Sequence, residues 1–248
     1  MNLKEFFENH KRIAIAFSGG TDSAYLLSEA VKYCEDVMAY YVKSQFQPQF
    51  EYDDALRLAK ELSAKMTVIN MDVLADETVV ANPSDRCYHC KNHIFGTIIK
   101  AAHKDGYPVL IDGTNASDDE GDRPGMKALK ELKVLSPLRL CGIDKETVRK
   151  RSKENGLFTW DKPAYACLAT RVKHGQYITN EILSKIEDSE NYLMSLGFSD
   201  FRVRVKDNNA LIQLAIEQFD LFYEKEELIK KKLSLYFDNI ELDVNHPR

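Results

Sequence analysis

Apolar and polar positions along the chain follow two rhythms. Short apolar runs at 12–17 (RIAIAF), 36–42 (DVMAYYV), 65–71 (KMTVINM) and 108–113 (PVLIDG) have the length and make-up of buried strands. Between them, 22–34, 49–62 and 92–106 place apolar residues at helical spacing, the last closing on Gly106. Strands alternating with helices predict βαβ units, hence an α/β fold with a doubly wound parallel sheet covered on both faces. After Gly113 the pattern loosens into a polar stretch, TNASDDEGDRPGMKAL. A helix over 144–156 follows, with Asp144 as its N-cap and a glycine at its end, and then an irregular segment over 158–176. The last segment predicts a helix (179–196), strands (201–206 and 210–215), a helix (217–233) and a strand near 236–243, which together read as a smaller C-terminal α+β domain. The expected domains are residues 1–168 and 169–248.

Composition narrows the class. The 44% hydrophobic and 29% charged fractions are those of an ordinary globular protein. No apolar run reaches membrane-spanning length, and the charged, amphipathic MNLKEFFENHKR lacks a signal peptide's apolar core. A cytoplasmic enzyme with no membrane partner is the expectation. A formal net charge of −5 argues against a large nucleic-acid surface, which would be basic. Five cysteines without a secretion signal point to metal or sulfur chemistry rather than disulfides. Cys34, read as mid-helix, and Cys141, read as a buried loop residue, are expected to be structural.

The junction between the first strand and the next helix reads Ser18-Gly19-Gly20-Thr21-Asp22-Ser23. Two glycines let the backbone approach an anion closely and adopt positive φ. The first helical N–H groups lack partners, and with the helix dipole they form a phosphate cradle. Ser18 and Ser23 add hydroxyls. Asp22 is out of place in an anion site unless it caps the helix or holds a magnesium ion against the phosphates. Neither GxxxxGK[ST] nor GxGxxG occurs. A capped βα turn would explain any one of these residues, but it does not require both glycines and both serines.

Cys87 and Cys90 form a CxxC in RCYHCK, and Cys167 lies far along the chain in KPAYACLATR. Three thiolates leave a structural zinc site one ligand short unless His89 or His93 completes it. Alternatively, three thiolates hold three irons of a cubane cluster and leave the fourth iron open. Arg202 and Arg204 alternate with Val203 and Val205, so both face one way on a strand. That face is either a solvated charge pair or a phosphate site, which suits the arginine fork.

SGGTDS after the first strand resembles the pyrophosphate loop of the N-type ATP pyrophosphatase (PP-loop) superfamily, whose members adenylate a carbonyl or carboxyl oxygen and let a nucleophile displace AMP. NPSDRCYHCK (82–91), DGTNASDDEGDRPG (112–125), SPL (136–138), DKPAYACLATR (161–171) and RVRV (202–205) resemble, in this order and over nearly the whole chain, one group within it. That group is the LarE family, pyridinium-3,5-biscarboxylic acid mononucleotide sulfurtransferases of nickel-pincer nucleotide cofactor biosynthesis. The resemblance implies ATP, Mg2+ and a pyridinium mononucleotide as small-molecule ligands. Ser18, Gly19, Gly20, Thr21, Asp22 and Ser23 would hold pyrophosphate. Lys43, Gly113 and Thr114 would line the same crevice. Arg123, Arg171, Arg202, Arg204 and Glu190 would surround the substrate nucleotide, and Cys167 matches the sulfur-donor position. Some family members sacrifice that cysteine's sulfur. Others carry the CxxC as well and are expected to hold a [4Fe-4S] cluster, here on Cys87, Cys90 and Cys167. A sulfur source or donor protein and a homo-oligomer are further implications. The tail LDVNHPR departs from the Gly- and Ser-containing end common in the family.

Other readings share some of these features. A tRNA thiolase has the loop and the three cysteines but needs a basic RNA surface. A non-catalytic iron–sulfur or zinc module that senses ATP would release no pyrophosphate. An amidotransferase-type ligase would need free ammonia, since no glutaminase segment is visible.

Overall fold

The computed structural model describes residues 2–118 and 124–246. In chain order its main elements are α1 (Leu3–Asn9), β1 (Arg12–Ala16), α2 (Thr21–Tyr33), β2 (Asp36–Lys43), α3 (Gln49–Glu61), β3 (Lys65–Asn70), α4 (Glu77–Val80), α5 (Arg86–Lys104) and β4 (Val109–Ile111). They continue with α6 (Pro124–Glu131), α7 (Pro137–Leu140), α8 (Lys145–Glu154), α9 (Asn180–Ser195), β5 (Arg202–Lys206), β6 (Asn209–Gln213), α10 (Phe219–Leu233) and β7 (Asn239–Leu242). The residues divide into two compact units, 1–71 with 85–162, and 72–84 with 163–248.

The first unit is an α/β sandwich. Its four strands are all parallel, in the order β3-β2-β1-β4. Side chains alternate across the sheet, as the strand period requires. Ile13, Ile15, Val37, Ala39, Tyr41 and Ile111 pack on one face with Leu26 and Leu27 of α2, Leu58 of α3, Leu138 of α7 and Val148 of α8. Ala14, Tyr40, Val42 and Leu110 pack on the other with Ile98 and Ala102 of α5 and Leu129 of α6. Burial on both faces is why β1, β2 and β4 read as apolar runs rather than alternating ones, while β3, at the sheet edge, is only partly buried. The doubly wound parallel sheet expected from the sequence is the observed fold.

The chain runs outward from β1 to β2 and β3, then returns to pair β4 on the opposite side of β1. Ile15 is in register with Ile111, so the carboxyl ends of β1 and β4 sit side by side. A sheet of this kind opens a crevice at such a reversal, because consecutive connections leave to opposite faces. Two sequence expectations shift here. The helix expected over 92–106 begins six residues earlier, at Arg86, and takes in Cys87 and Cys90. Cys34 is not mid-helix: it is the C-cap of α2, half-buried, with its thiol directed at the carbonyls of His10 (3.1 Å) and Lys11 (3.0 Å). Burial raises its pKa.

The second unit has a three-stranded sheet, β5-β6-β7, in which β5 and β6 pair antiparallel and β6 and β7 parallel. Ile186 and Leu193 of α9, Val203, Ile212, and Phe222 and Ile229 of α10 are among its buried residues. Residues 72–84 join this unit through hydrogen bonds. Fully buried Asn82 donates to the carbonyls of Val172 (3.3 Å) and Lys173 (2.9 Å) and accepts at its own carbonyl from Gly175 N–H (2.9 Å). Ile178 N–H donates to Val80 O (2.8 Å), and the Tyr177 hydroxyl donates to Glu77 (3.0 Å).

At the start of β2, Asp36 gathers Lys65 (2.8 Å), the Tyr107 hydroxyl (3.1 Å) and Arg12 (3.3 Å). The Lys65 hydrogen bond holds its carboxyl below the usual carboxylate range, against the cost of desolvation. A carboxyl lowered by folding adds stability above its unfolded pKa and loses it as pH falls through the folded value. Asp36→Asn is therefore expected to cost about 1 kcal/mol at neutral pH. Urea melts at pH 7 and at successively lower pH should show that difference shrink as pH falls through the lowered native pKa of the carboxyl.

Candidate functional site

The loop after β1 combines freedom and crowding. Gly19 has φ +75°, and a Cβ there would lie 3.1 Å from the Ala55 Cβ and 3.2 Å from the Glu51 carbonyl of α3. The N-cap of α2 is Gly20, so no side chain caps the helix. The first N–H groups are thus left for an anion at the positive end of the dipole. The Ser18 and Ser23 hydroxyls lie 3.0 Å apart, Ser23 Oγ donates to Gly20 O (3.1 Å), and Gly20 N–H reaches Ser18 Oγ (3.4 Å). Thr21 faces the other way: it is buried, and its hydroxyl donates to the Thr159 carbonyl (2.8 Å).

The end of β4 closes the opposite wall. A Cβ on Gly113 would stand 2.8 Å from Ser23 N and 3.1 Å from Ser23 Cα, so two backbones meet where only glycine fits. Thr114 is turned inward onto buried Asp112, its hydroxyl donating at 2.5 Å, while Ser136 donates to the same carboxylate (2.7 Å). Asp22 projects from the first turn of α2 between two partners: Asn115 Nδ2 donates to Oδ1 (3.2 Å) and Lys145 Nζ to Oδ2 (2.6 Å). Lys145 opens α8, whose N-cap is Asp144, as the sequence predicts. Asn115 is itself held, accepting from Ser117 N–H (2.8 Å) and pairing through its N–H with Asp118 (2.9 Å). Lys43, at the end of β2, donates to the Gln47 carbonyl (3.0 Å). The arrangement offers donors for a phosphate chain and one carboxylate whose negative charge is offset by an ammonium group.

On α5, Cys87 and Cys90 stand at i and i+3 and share a helix face. Cys87 is exposed and Cys90 half-buried. The buried Arg86 guanidinium reaches the Cys87 sulfur at 3.6 Å. His89 instead turns to Asp85 (3.3 Å).

In the second unit, half-buried Cys167 begins a tight turn. Its carbonyl accepts from Thr170 N–H (2.9 Å) and Thr170 Oγ1 (2.8 Å). Arg171 and Glu190, each only 1% exposed, form a two-pronged ion pair at 2.9 and 3.1 Å. Burial works against the Arg171 cation, but the hydrogen bond and charge of Glu190 outweigh it and raise its pKa. Arg204 donates to Thr170 O (2.9 Å) and to Gln213 (2.5 Å), with Val203 and Val205 buried on the other face of β5.

Comparison with known proteins gives this geometry a family. A Synechocystis sp. protein of uncharacterized function is 36% identical over 224 residues, covering 90% of this chain and 84% of its own. The pyridinium-3,5-bisthiocarboxylic acid mononucleotide synthase of Lactiplantibacillus plantarum, a LarE protein, is 31% identical over 237 residues, 94% of this chain and 86% of its own. This chain belongs to the LarE family. A tRNA-specific 2-thiouridylase, MnmA, of Pseudothermotoga lettingae is 26% identical over 61% of this chain and 49% of its own, consistent with the wider PP-loop superfamily. No protein-family model matches.

In this LarE chain, Ser18, Gly19, Gly20, Asp22, Ser23 and Gly113 come together at the β1/β4 reversal. Thr21 and Thr114 adjoin that crevice but spend their hydroxyls on the protein. Arg123 lies outside the described residues. Among the described residues, no group of three or more His, Cys, Asp or Glu side chains is gathered in a way that could hold a metal ion. Also among them, no helix is long and apolar enough to cross a membrane. Lys145 and Asn115 escaped the sequence reading, because they reach Asp22 from 123 and 93 residues away. The only local hint was their place beside recognisable signals, the Asp144 cap and the DGTN that ends β4.

Gly113→Ala should push the α2 N-terminus away from β4. The expected cost is about 1–3 kcal/mol, the range for overpacking a tight contact, read as a lowered urea midpoint with an unchanged slope.

Proposed function

We propose that this protein is an ATP-dependent sulfurtransferase that converts the carboxylates of pyridinium-3,5-biscarboxylic acid mononucleotide to thiocarboxylates, a step of nickel-pincer nucleotide synthesis. The observation that carries the reading is the uncapped first turn of α2, framed by Gly19, Gly20 and Gly113 and carrying Asp22 on Lys145 and Asn115. The likeness to the L. plantarum synthase over 94% of the chain supports a pyridinium nucleotide substrate over a tRNA, since MnmA matches only 61%.

In this reading the α2 N–H groups, Ser18 and Ser23 hold the β- and γ-phosphates of ATP, and Asp22 would hold Mg2+ against them. The residues suit that pair: donors meet the phosphate oxygens and the one carboxylate meets the cation. A substrate carboxylate oxygen attacks the α-phosphorus and pyrophosphate leaves, giving an acyl adenylate. The Cys167 thiolate attacks that carbonyl and AMP leaves, giving a thioester. Loss of the Cys167 Cα proton with cleavage of its Cβ–S bond then releases the thiocarboxylate and leaves dehydroalanine. No oxidant is needed. A free thiol has a pKa of about 8.5, so a bound metal that keeps sulfur deprotonated would help it compete with water.

The family resemblance implies that Cys87, Cys90 and Cys167 would be the thiolates to hold a four-iron cluster, and none of them is spent in a disulfide. When bound there, such a cluster would supply sulfide in place of the Cys167 sulfur and permit repeated turnover. A sulfur source or donor protein then reloads it. Arg202 and Arg204 suit the nucleotide phosphate. The family resemblance further implies a cytoplasmic homo-oligomer.

Two measurements test the reading. With the pyridinium dicarboxylate nucleotide and MgATP, pyrophosphate release should depend on the nucleotide and fall by about 10²-fold or more in Asp22→Ala. Cys167→Ala should still release pyrophosphate but make no thiocarboxylate, and sulfur transfer by that variant would sink the assignment. Anaerobic purification with iron and acid-labile sulfide analysis should find a four-iron cluster lost in Cys87→Ala, Cys90→Ala and Cys167→Ala alike. No iron after reconstitution, with dehydroalanine at position 167 after one turnover, would leave the sacrificial route.

A further inference from the structure

The turn that carries Cys167 is tied down from both sides. Tyr165 precedes the cysteine by two residues and Arg171 follows it by four, and both side chains converge on the Glu190 carboxylate of α9. The Tyr165 hydroxyl donates to Oε2. Arg171 Nε donates to Oε1 (2.9 Å) and Nη2 to Oε2 (3.1 Å). The fourth donor is Val203 N–H, at 2.9 Å from Oε1, which anchors the carboxylate to β5. The guanidinium also lies on the Tyr165 ring, 4.2 Å from its centroid. Its remaining arm returns to the turn: Nη1 donates to Ala166 O (2.5 Å), to Thr170 Oγ1 (3.0 Å) and, at 3.4 Å, to Cys167 O.

A carboxylate offers about four acceptor sites, so Glu190 has none left for a ligand. A buried ion pair of this kind is a poor way to gain stability, since apolar residues of like volume would often fill the space at lower cost. What it does provide is a single arrangement, because each charge is satisfied in one geometry only. Every arm of that arrangement ends on residues 165–171 or on the strand beside them.

We infer that Arg171, Glu190 and Tyr165 form a positioning clamp for Cys167, fixing the backbone on both sides of the sulfur-bearing residue so that its thiol is presented in one orientation. The inference rests on the reading of Cys167 as the residue that delivers sulfur. It gives Arg171 and Glu190 a role through Cys167 rather than in contact with the substrate nucleotide.

Tyr165→Phe removes one arm without stranding a charge, and Arg171→Lys keeps the charge but loses the fork. For the full chain and both variants, single-turnover sulfur transfer would be followed against substrate nucleotide concentration. In parallel, iodoacetamide labelling of Cys167, located by peptide mass, would be timed without substrate, and thermal melting would check the fold. The clamp predicts that the maximal transfer rate falls about tenfold in Tyr165→Phe and about 10²-fold in Arg171→Lys. Half-saturation should stay within about twofold, because the substrate contacts are untouched. Labelling of Cys167 should quicken severalfold as the turn loosens. A raised half-saturation with the maximal rate kept would instead put these side chains on the substrate and overturn the inference. So would unchanged transfer and unchanged labelling in a folded Tyr165→Phe. If Cys167→Ala still transfers sulfur, the donor reading fails on that measurement alone, while the labelling rates still decide whether the turn is clamped. Should Arg171→Lys fail to fold, Tyr165→Phe decides.

Discussion

The first unit depends on one close approach, the backbone of Gly113 at the end of β4 against the backbone of Ser23 in the first turn of α2. Parallel pairing puts β1 and β4 side by side, and each must release its chain at the same edge of the sheet. Without a Cβ between them, the start of α2 can settle directly over the end of β4. The uncapped N–H groups, the two serines and Asp22 are placed by that contact. Asn115 comes to Asp22 because it follows Gly113 by two residues. The glycine is therefore a statement about distance: it fixes how near the helix dipole lies to whatever enters the crevice.

Much of this was legible in the sequence, for physical reasons. Strands buried on both faces have to be apolar, so β1, β2 and β4 stood out as runs, half-buried β3 kept enough of that pattern in Met66, Val68 and Ile69, and the helices showed as 3.6-residue periods. SGGTDS carries its meaning locally, since a strand end, two glycines and a helix start already make an anion site. Tertiary partners were not legible. Lys145 sits on a strongly polar helix among many charges, and nothing in its neighbours says that it reaches Asp22. The early start of α5 was hidden because RCYHCK has no apolar face of its own, and tertiary packing of Arg86 overrides that weak local pattern. Arg171 was expected beside the substrate nucleotide, whereas the structure buries it completely. Burial of a charge depends on a partner 19 residues away, which residue type alone does not reveal.

The two charged centres show opposite uses of the same physics. Asp22 and Lys145 remain partly exposed, at 25% and 32% of the side chain, so water screens their pairing and either can take a new partner at modest cost. Arg171 and Glu190 are closed to water, at 0% and 1%, and their pairing cannot be exchanged without leaving a buried charge unsatisfied. An exchangeable pair suits a place where a ligand arrives, and a locked pair suits a place where a shape must persist.

The insertion of residues 72–84 into the second unit has a consequence for how the chain is made. During synthesis this segment emerges long before residues 172–178, which supply the hydrogen-bond partners of Val80 and Asn82. The first unit can complete its sheet once β4 has emerged, but a stretch in its middle must wait as an unsatisfied loop until nearly a hundred further residues are translated. The second unit is thus assembled around a piece delivered in advance, so no cut of the chain at a single point yields both units whole.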